Sequence, residues 1–269
     1  MYIRELKEIR ELGKVISCRD SFAEQLRYLK NAGAKFPYIM DVRSMAYMRI
    51  YNGSKDGAKT CHATIYAKNS PIILAMVSPL IEDFNIAEQT IEADRENRYF
   101  VTKDMEVYDK YAKIAKEDAN KEPDKRRALI LPQRQKFLIK PDSEEAKALF
   151  KDVREIYFRK FCPPDKVVFY PDGINFLPTG KDFVDNQKGS IVGYLWFWCP
   201  EYDSSLDSEG IYLGSDNQVF GMLPKTSEAA SQREAPSLRV QAEKITSSKL
   251  EDINSLEDIT SSLINFQKY

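Results

Sequence analysis

The chain has 269 residues, of which 43% are apolar and 30% charged, and its net charge is −1. This composition belongs to a globular protein long enough to bury a sizeable core, and it excludes any global attraction to nucleic acid or anionic lipid, so such attraction has to be local. The longest apolar run, around Ser190–Trp198, is far below the roughly 20 residues of a membrane-spanning helix. The charged start, "MYIRELKEIREL", carries no apolar leader core. A cytoplasmic protein without a membrane partner is the expectation.

In chain order, Ile3, Leu6, Ile9 and Leu12 recur at helical spacing before Gly13, which predicts a first helix. "SFAE" at Ser21–Glu24 is a capping box that opens a second helix, with Phe22, Leu26 and Leu29 on one face and an end near Gly33. "AYMRIYNGSKDGAKTCHATIYA" holds two alternating runs around a Gly/Asn/Asp turn and predicts a β-hairpin. "NSPIILAMVSPL" places Ser70 before Pro71 and Ser78 before Pro79, which predicts helix. Residues 86–97 and 104–119 are polar and helical in pattern. "RALIL" and "KFLIK" are short strands separated by "PQRQ". From Asp142 the stripe Leu149, Phe150, Val153, Ile156, Tyr157 and Phe161 predicts a helix closed by Pro163 and Pro164.

Beyond that point "KVVFY", "INFLP", "SIVGYLWFWC", "GIYLG" and "QVFGML" alternate with Pro, Gly and Asp turns, as strands do. The fold class is α+β: antiparallel sheet with packed helices, followed by a flexible linker and a short C-terminal amphipathic helix. Residues 1–224 form one globular domain, with a division into two lobes near 120–142 as the alternative. Residues 225–249, rich in Ser, Ala, Glu and Gln and free of aromatics, are the linker. In 250–269 the near-repeat "LEDINS LEDITS" lines up Leu250, Ile253, Leu256, Ile259 and Leu263, with Ser248 and Glu251 as a second capping box. Such a helix is too short to stand alone in water, so it docks on its own domain or a second copy, or it binds another protein.

The residue types exclude several chemistries. Cys18, Cys61, Cys162 and Cys199 are widely spaced and form no C-x-x-C pair, so reduced, buried thiols are expected. His62 is the one histidine, which removes His-rich metal sites and leaves little room for His-dependent acid–base work. No phosphate-cradling glycine loop and no nucleophile elbow occurs, and Pro171-Asp172-Gly173 reads as turn chemistry rather than as part of a nuclease with Asp185 and Lys188. No catalytic residue, cofactor or metal is assigned.

Three segments remain as binding candidates. If the hairpin forms, Tyr47, Arg49, Tyr51, His62, Thr64 and Tyr66 share one face of the pleat. Tyrosines interleaved with arginine on a sheet suit single-stranded nucleic acid, with rings stacking on bases and the cation meeting phosphate. The basic run between Lys125 and Lys140 adds Arg126, Arg127, Arg134 and Lys136 without an acidic residue, and clustered guanidinium groups suit phosphate. The plainer reading of that run is a solvated strand edge. Its opposite is "CPEYDSSLDSEGIYLGSD", with Glu201, Asp203, Asp207, Glu209 and Asp216 and no base, which lacks the ligand order of an EF-hand. The sequence thus favours a non-enzymatic, sequence-tolerant single-strand-binding protein. The alternatives are a structural or adaptor protein acting through self-association and protein contacts, including homo-oligomers, and a metal-dependent enzyme with dispersed carboxylates.

Overall fold

The structure is a computed structural model and describes residues 2–5, 12–20, 22–83, 100–131, 136–162, 173–178, 184–198, 205–208 and 218–223. The chain divides into two compact units, Met1–Pro224 and Lys225–Tyr269, and every described residue lies in the first. The predicted helix over 86–97, the strands "KVVFY" and "GIYLG", and the C-terminal stripe fall outside the described residues. No helix among the described residues is long and apolar enough to cross a membrane.

The elements run β1 (Tyr2–Glu5), β2 (Val15–Arg19), α1 (Phe22–Asn31), α2 (Val42–Asn52), β3 (Ala58–Tyr66), β4 (Ile73–Ala75) and α3 (Pro79–Glu82). They continue with β5 (Phe100–Val101), α4 (Glu106–Glu117), β6 (Ala128–Ile130), β7 (Phe137–Ile139), α5 (Glu144–Phe150) and α6 (Arg154–Phe161). The last four are β8 (Ile174–Leu177), β9 (Ile191–Phe197), β10 (Ser205–Asp207) and β11 (Gln218–Met222). Helices with a mixed multi-strand sheet make this an α+β fold.

All eleven strands among the described residues join one sheet in the order β1-β2-β11-β3-β9-β10-β8-β7, with β4 and then β6 branching from β3, and β5 from β9. The antiparallel pair β3–β9 is the trunk. The free edge of β3 takes β11 near Lys59 and β4 at Ala63–Ile65. That of β9 takes β10 at Trp196–Phe197 and β5 at Ile191–Val192. Every residue of β3 is buried, because both faces of the trunk are covered.

One face packs Phe22, Leu26 and Leu29 of α1 against Ile16, Cys61, Ala63, Val192, Tyr194 and Val219. On the same face Tyr108, Tyr111 and Ala115 of α4 pack against Ile65, Ile73, Ala75 and Ala128. The opposite face packs α2, α5 and α6 against the sheet, with Phe150 ringed by Tyr157, Phe158 and Phe197 at centroid distances of 5.0, 5.2 and 5.7 Å.

Several expectations are corrected. The predicted hairpin is not one: its first half is the helix α2. Asp41 caps that helix, accepting from the Ser44 N–H at 2.8 Å, and Gly53 ends it in the left-handed conformation at φ 64°. Gly53 thus terminates a helix rather than turning a hairpin. The N-terminal segment predicted helical contains β1, paired antiparallel to β2 from Tyr2↔Arg19 to Glu5↔Ile16. In "NSPIILAMVSPL" only the second serine opens a helix, its Oγ accepting from the Leu80 N–H at 3.3 Å. The Ser70 hydroxyl instead donates to the Lys68 carbonyl, and Ile73–Ala75 form β4 between β3 and β6. The helix after Asp142 breaks in two at Lys151, which has φ 49°.

Gly189 tests the junction of β5 with β9. A Cβ there would lie 1.8 Å from the Thr102 carbonyl oxygen, a backbone atom that cannot swing aside. Gly189→Ala is expected to destabilise the domain by about 1–3 kcal/mol as an overpacking defect, read as a lower urea midpoint at unchanged slope.

Candidate functional site

The structure takes apart the face expected to combine Tyr47, Arg49, Tyr51, His62, Thr64 and Tyr66. The first three lie on α2 and the last three on β3. Tyr51 is 54% exposed and its ring packs, tilted at 41°, on half-buried Tyr47 with centroids 4.4 Å apart. The Arg43 guanidinium stands 6.0 Å from the Tyr47 ring centroid and makes a two-pronged pair with Asp152, both bonds 2.7 Å. Those bonds hold the Asp152 carboxyl below its usual range.

Arg49 is 1% exposed and faces inward. It donates to Tyr157 Oη at 3.0 Å and to the carbonyls of Phe197 and Asp56 at 2.9 and 3.1 Å, and it lies 3.7 Å from the Phe197 ring centroid. It therefore pins α2 to the end of β9 and to α6. The hydroxyl of buried Tyr66 hydrogen-bonds with Ser208 Oγ.

His62 is also internal. Its Nε2 accepts from the Val42 N–H at 3.2 Å and its Nδ1–H donates to the Met76 carbonyl at 2.8 Å, which fixes a neutral tautomer between α2 and the strand β4. Burial pushes its pKa below the ordinary value, with partial opposition from the Asp41 charge and the Met76 carbonyl.

The basic run does not converge either. Its two strands, β6 and β7, pair with β4 and β8 respectively and not with each other. Arg127 clamps Asp118 with Nε and an Nη both at 2.9 Å, adds its own N–H at 2.9 Å, and reaches Glu117 at 3.1 Å. The bonds from Arg127, then from Lys121, pull the Asp118 carboxyl far down. Arg126 donates to Glu144 at 2.7 and 3.4 Å and to the Lys121 carbonyl at 2.9 Å. The pair thus stitches the end of α4 to the starts of β6 and α5. Lys136 is exposed just before β7, while Arg134 and the tail residues Leu250, Ile253, Leu256, Ile259 and Leu263 lie outside the described residues.

The thiols are similarly internal: Cys18, Cys61 and Cys162 form no disulfide and are buried. Burial, aided by the Asp20 charge, pushes the Cys18 thiol up to about 12, and burial raises Cys61. Among the described residues no three His, Cys, Asp or Glu side chains gather as a metal site.

A different cluster emerges at the far end of the trunk. The registers Asn175↔Ser205, Leu177↔Asp207 and Asp207↔Trp196 place these residues on one sheet face, since side chains alternate. Trp198 joins them: its N–H donates to the Ser205 carbonyl at 3.0 Å and its indole Nε1–H to Asp207 Oδ2 at 3.3 Å. The two indoles, the only tryptophans in the chain, are 5.8 Å apart at 64°. Trp198 is 39% exposed and Trp196, Leu138 and Leu177 are half-buried, yet none of the four belongs to the three cores. Between them Asp207, Ser205 and Asn175 are buried, and Asn175 Nδ2 and Trp196 Nε1 have no acceptor. The signal in the sequence was "YLWFW", readable as strand. The carboxylate and amide facing it come from β10 and β8, and β10 was read as acidic loop.

This is an α+β protein with an aromatic–carboxylate cluster on one sheet face. No family model and no curated protein matches the chain. A solved structure described as "Accommodation of massive sequence variation in Nanoarchaeota by the C-type lectin fold" is similar at a TM-score of 0.46 and 12% identity, over 80% of this chain and 98% of its own.

Two outcomes check the internal roles. Arg49→Ala leaves the Phe197 carbonyl and the Tyr157 hydroxyl without their donor and empties a side-chain volume. It should destabilise by about 3 kcal/mol, whereas Tyr51→Ala at the surface should stay within about 0.5 kcal/mol in the same urea titration. Because the folded pKa of His62 is depressed, the unfolded chain takes up a proton near pH 6.5 while the fold resists it. Stability is complete above about pH 6.5 and falls as pH drops below it. The melting temperature should decline from pH 6.5 toward 5, and His62→Gln should remove that part of the slope; parallel curves for the two proteins would count against this role.

Proposed function

We propose that the protein is a non-catalytic binding module that engages another protein through the Trp196–Trp198 end of its sheet. One observation carries the reading: an exposed tryptophan, braced by a second indole and a buried carboxylate, stands outside every hydrophobic core. Tryptophan is among the residues that dominate protein–protein binding energy. The candidates for phosphate contact offer less, since Arg49 is enclosed and Arg126 and Arg127 are held by the domain's own carboxylates. Releasing those arginines to nucleic acid would expose Glu144, Glu117 and Asp118 beside the phosphates.

The test is affinity capture from extracts of the source cells with the wild-type chain and with Trp198→Ala. Capture should fall at least about thirtyfold in Trp198→Ala, the equivalent of a 2 kcal/mol hot spot, and survive Tyr51→Ala. In parallel, a labelled single strand of about 30 nucleotides is titrated at low and physiological salt. Micromolar strand binding that weakens with salt and ignores Trp198→Ala would restore the single-strand reading in its place.

A further inference from the structure

Where α2 gives way to β3 the chain carries its one Asn-Gly dipeptide, Asn52-Gly53. Asn52 is the last residue of α2, and both residues are exposed. The backbone demands the glycine and crowding does not: its φ is 64°, and a Cβ there would find nothing within 4 Å. Left-handed backbone at the end of a helix is where glycine is favoured. The missing Cβ also leaves the Gly53 nitrogen sterically open to the side chain that precedes it. The cap of α2 thus imposes the dipeptide in which an asparagine amide is most easily attacked.

We propose that Asn52 is a site of spontaneous amide loss, held in check by the C-terminal cap of α2. In the step, the Gly53 main-chain nitrogen gives up its proton and attacks Asn52 Cγ. The N–Cγ bond forms, the Cγ–Nδ2 bond breaks, and Nδ2 leaves as ammonia with that proton. Water then opens the cyclic imide at one carbonyl or the other. The products are an aspartate and an isoaspartyl linkage, in which the main chain runs through the former side chain. Solvent water is the one co-reactant, and no enzyme or oxidant takes part.

Contacts from three directions oppose the step by keeping the last turn of α2 closed. The Met48 carbonyl accepts from the Gly53 N–H and, at 3.5 Å, from the Ser54 N–H, so the nitrogen that would attack is engaged. The Ile50 carbonyl accepts from Lys160 Nζ of α6 at 2.8 Å, which sets an ammonium group at the negative pole of the helix. Beyond the cap, Arg49 Nη2 donates to the Asp56 carbonyl at 3.1 Å and fixes the far end of the connection. Ring closure therefore waits for fraying of this turn, a local opening far smaller than unfolding. Once formed, a carboxylate at residue 52 meets that negative pole and favours further opening.

The full chain and a synthetic peptide of residues 50–55, blocked at both ends, are incubated side by side in mildly alkaline buffer. Digestion and mass spectrometry follow Asn52, with synthetic aspartyl and isoaspartyl standards to identify the products. In the folded chain Asn52 should convert ahead of Asn31 and Asn69, which are exposed too but precede alanine and serine. It should convert at least about fivefold more slowly than in the peptide, because the turn is mostly closed. Lys160→Met, shown folded by its melting curve, removes a charged donor near the surface. It should speed conversion by about threefold and raise hydrogen exchange at the Gly53 and Ser54 amides in step, and Lys160→Arg should restore both. Conversion of Asn52 no faster than of Asn69 overturns the site. Conversion as fast as in the peptide overturns the protection by the cap. Unchanged conversion and exchange in folded Lys160→Met overturn the part given to Lys160. Should that variant fail to fold, the peptide comparison, which needs no substitution, decides alone.

Discussion

The antiparallel pairing of β3 with β9 is the constraint on which the rest of the molecule depends. Each of these strands spends one edge on the other and divides its second edge between two short strands, so every outer strand reaches the sheet through this trunk. The pairing is irregular between Lys59 and Ala63, where Thr60, Cys61 and His62 stand against Leu195 alone. Such a bulge sharpens twist and re-aims side chains. Thr60 Oγ1 secures it by donating to the Leu195 carbonyl at 2.8 Å. The His62 ring is then available to the first turn of α2 and to the carbonyl following β4.

Burying cations beside this trunk requires compensation, and for Arg49 the fold supplies much of it with neutral acceptors and a ring face. Arg49 donates through its two Nη groups to two carbonyls and a phenol and lies over the face of Phe197, while its buried Nε has no acceptor. Lys59 lies near two aromatic rings. Removing a buried charge from water is expensive, and neutral acceptors and ring faces offset part of that expense while fixing where the helix layer sits. The ion pairs proper are peripheral: Arg126 with Glu144, Arg127 with Asp118, and Arg43 with Asp152 each join an element end to its neighbour. A basic run in sequence need not be a basic surface when the chain brings carboxylates from other elements to it.

The legible part of the fold was the part whose signal is local. β6, β7, β8, β9 and β11 follow short apolar runs between turn residues, and α1 and α4 follow helical stripes. α2 was read as a strand because it is buried on several sides. Met45, Ala46, Met48, Arg49 and Ile50 leave no clean polar face, and Tyr47, Arg49 and Tyr51 alternate with Met48 and Ile50 as a strand would. The caps Asp41 and Gly53 held the answer. β1, β4 and β10 depend on distant partners, and nothing within three or four residues announces them. The same holds for the site: the tryptophans were visible, but Asp207 and Asn175 join them only through the order β9-β10-β8, which periodicity does not encode.

Why the aromatic end stands outside the cores follows from dimensions. Helix α1, ten residues long, extends about 15 Å. The path from β1 to β7 crosses eight strands, about 34 Å at the usual strand spacing. α1 contacts β2, β11, β3 and β9, and α4 serves the branch through β4 and β6, which consumes both long helices on that face. On the opposite face α2, α5 and α6 extend the cover as far as Leu206, Phe176 and Ile139. The branch β10-β8-β7 is therefore packed by helices on one side, whereas on the other no described helix lies over Asn175, Ser205 and Asp207, buried though they are. A sheet face in that position must end in polar groups, in a partner or in both. The mixture found there sets one exposed indole on a second indole with a buried carboxylate and amide beside them, an amphipathic ring with its polar N–H held and its apolar body turned outward.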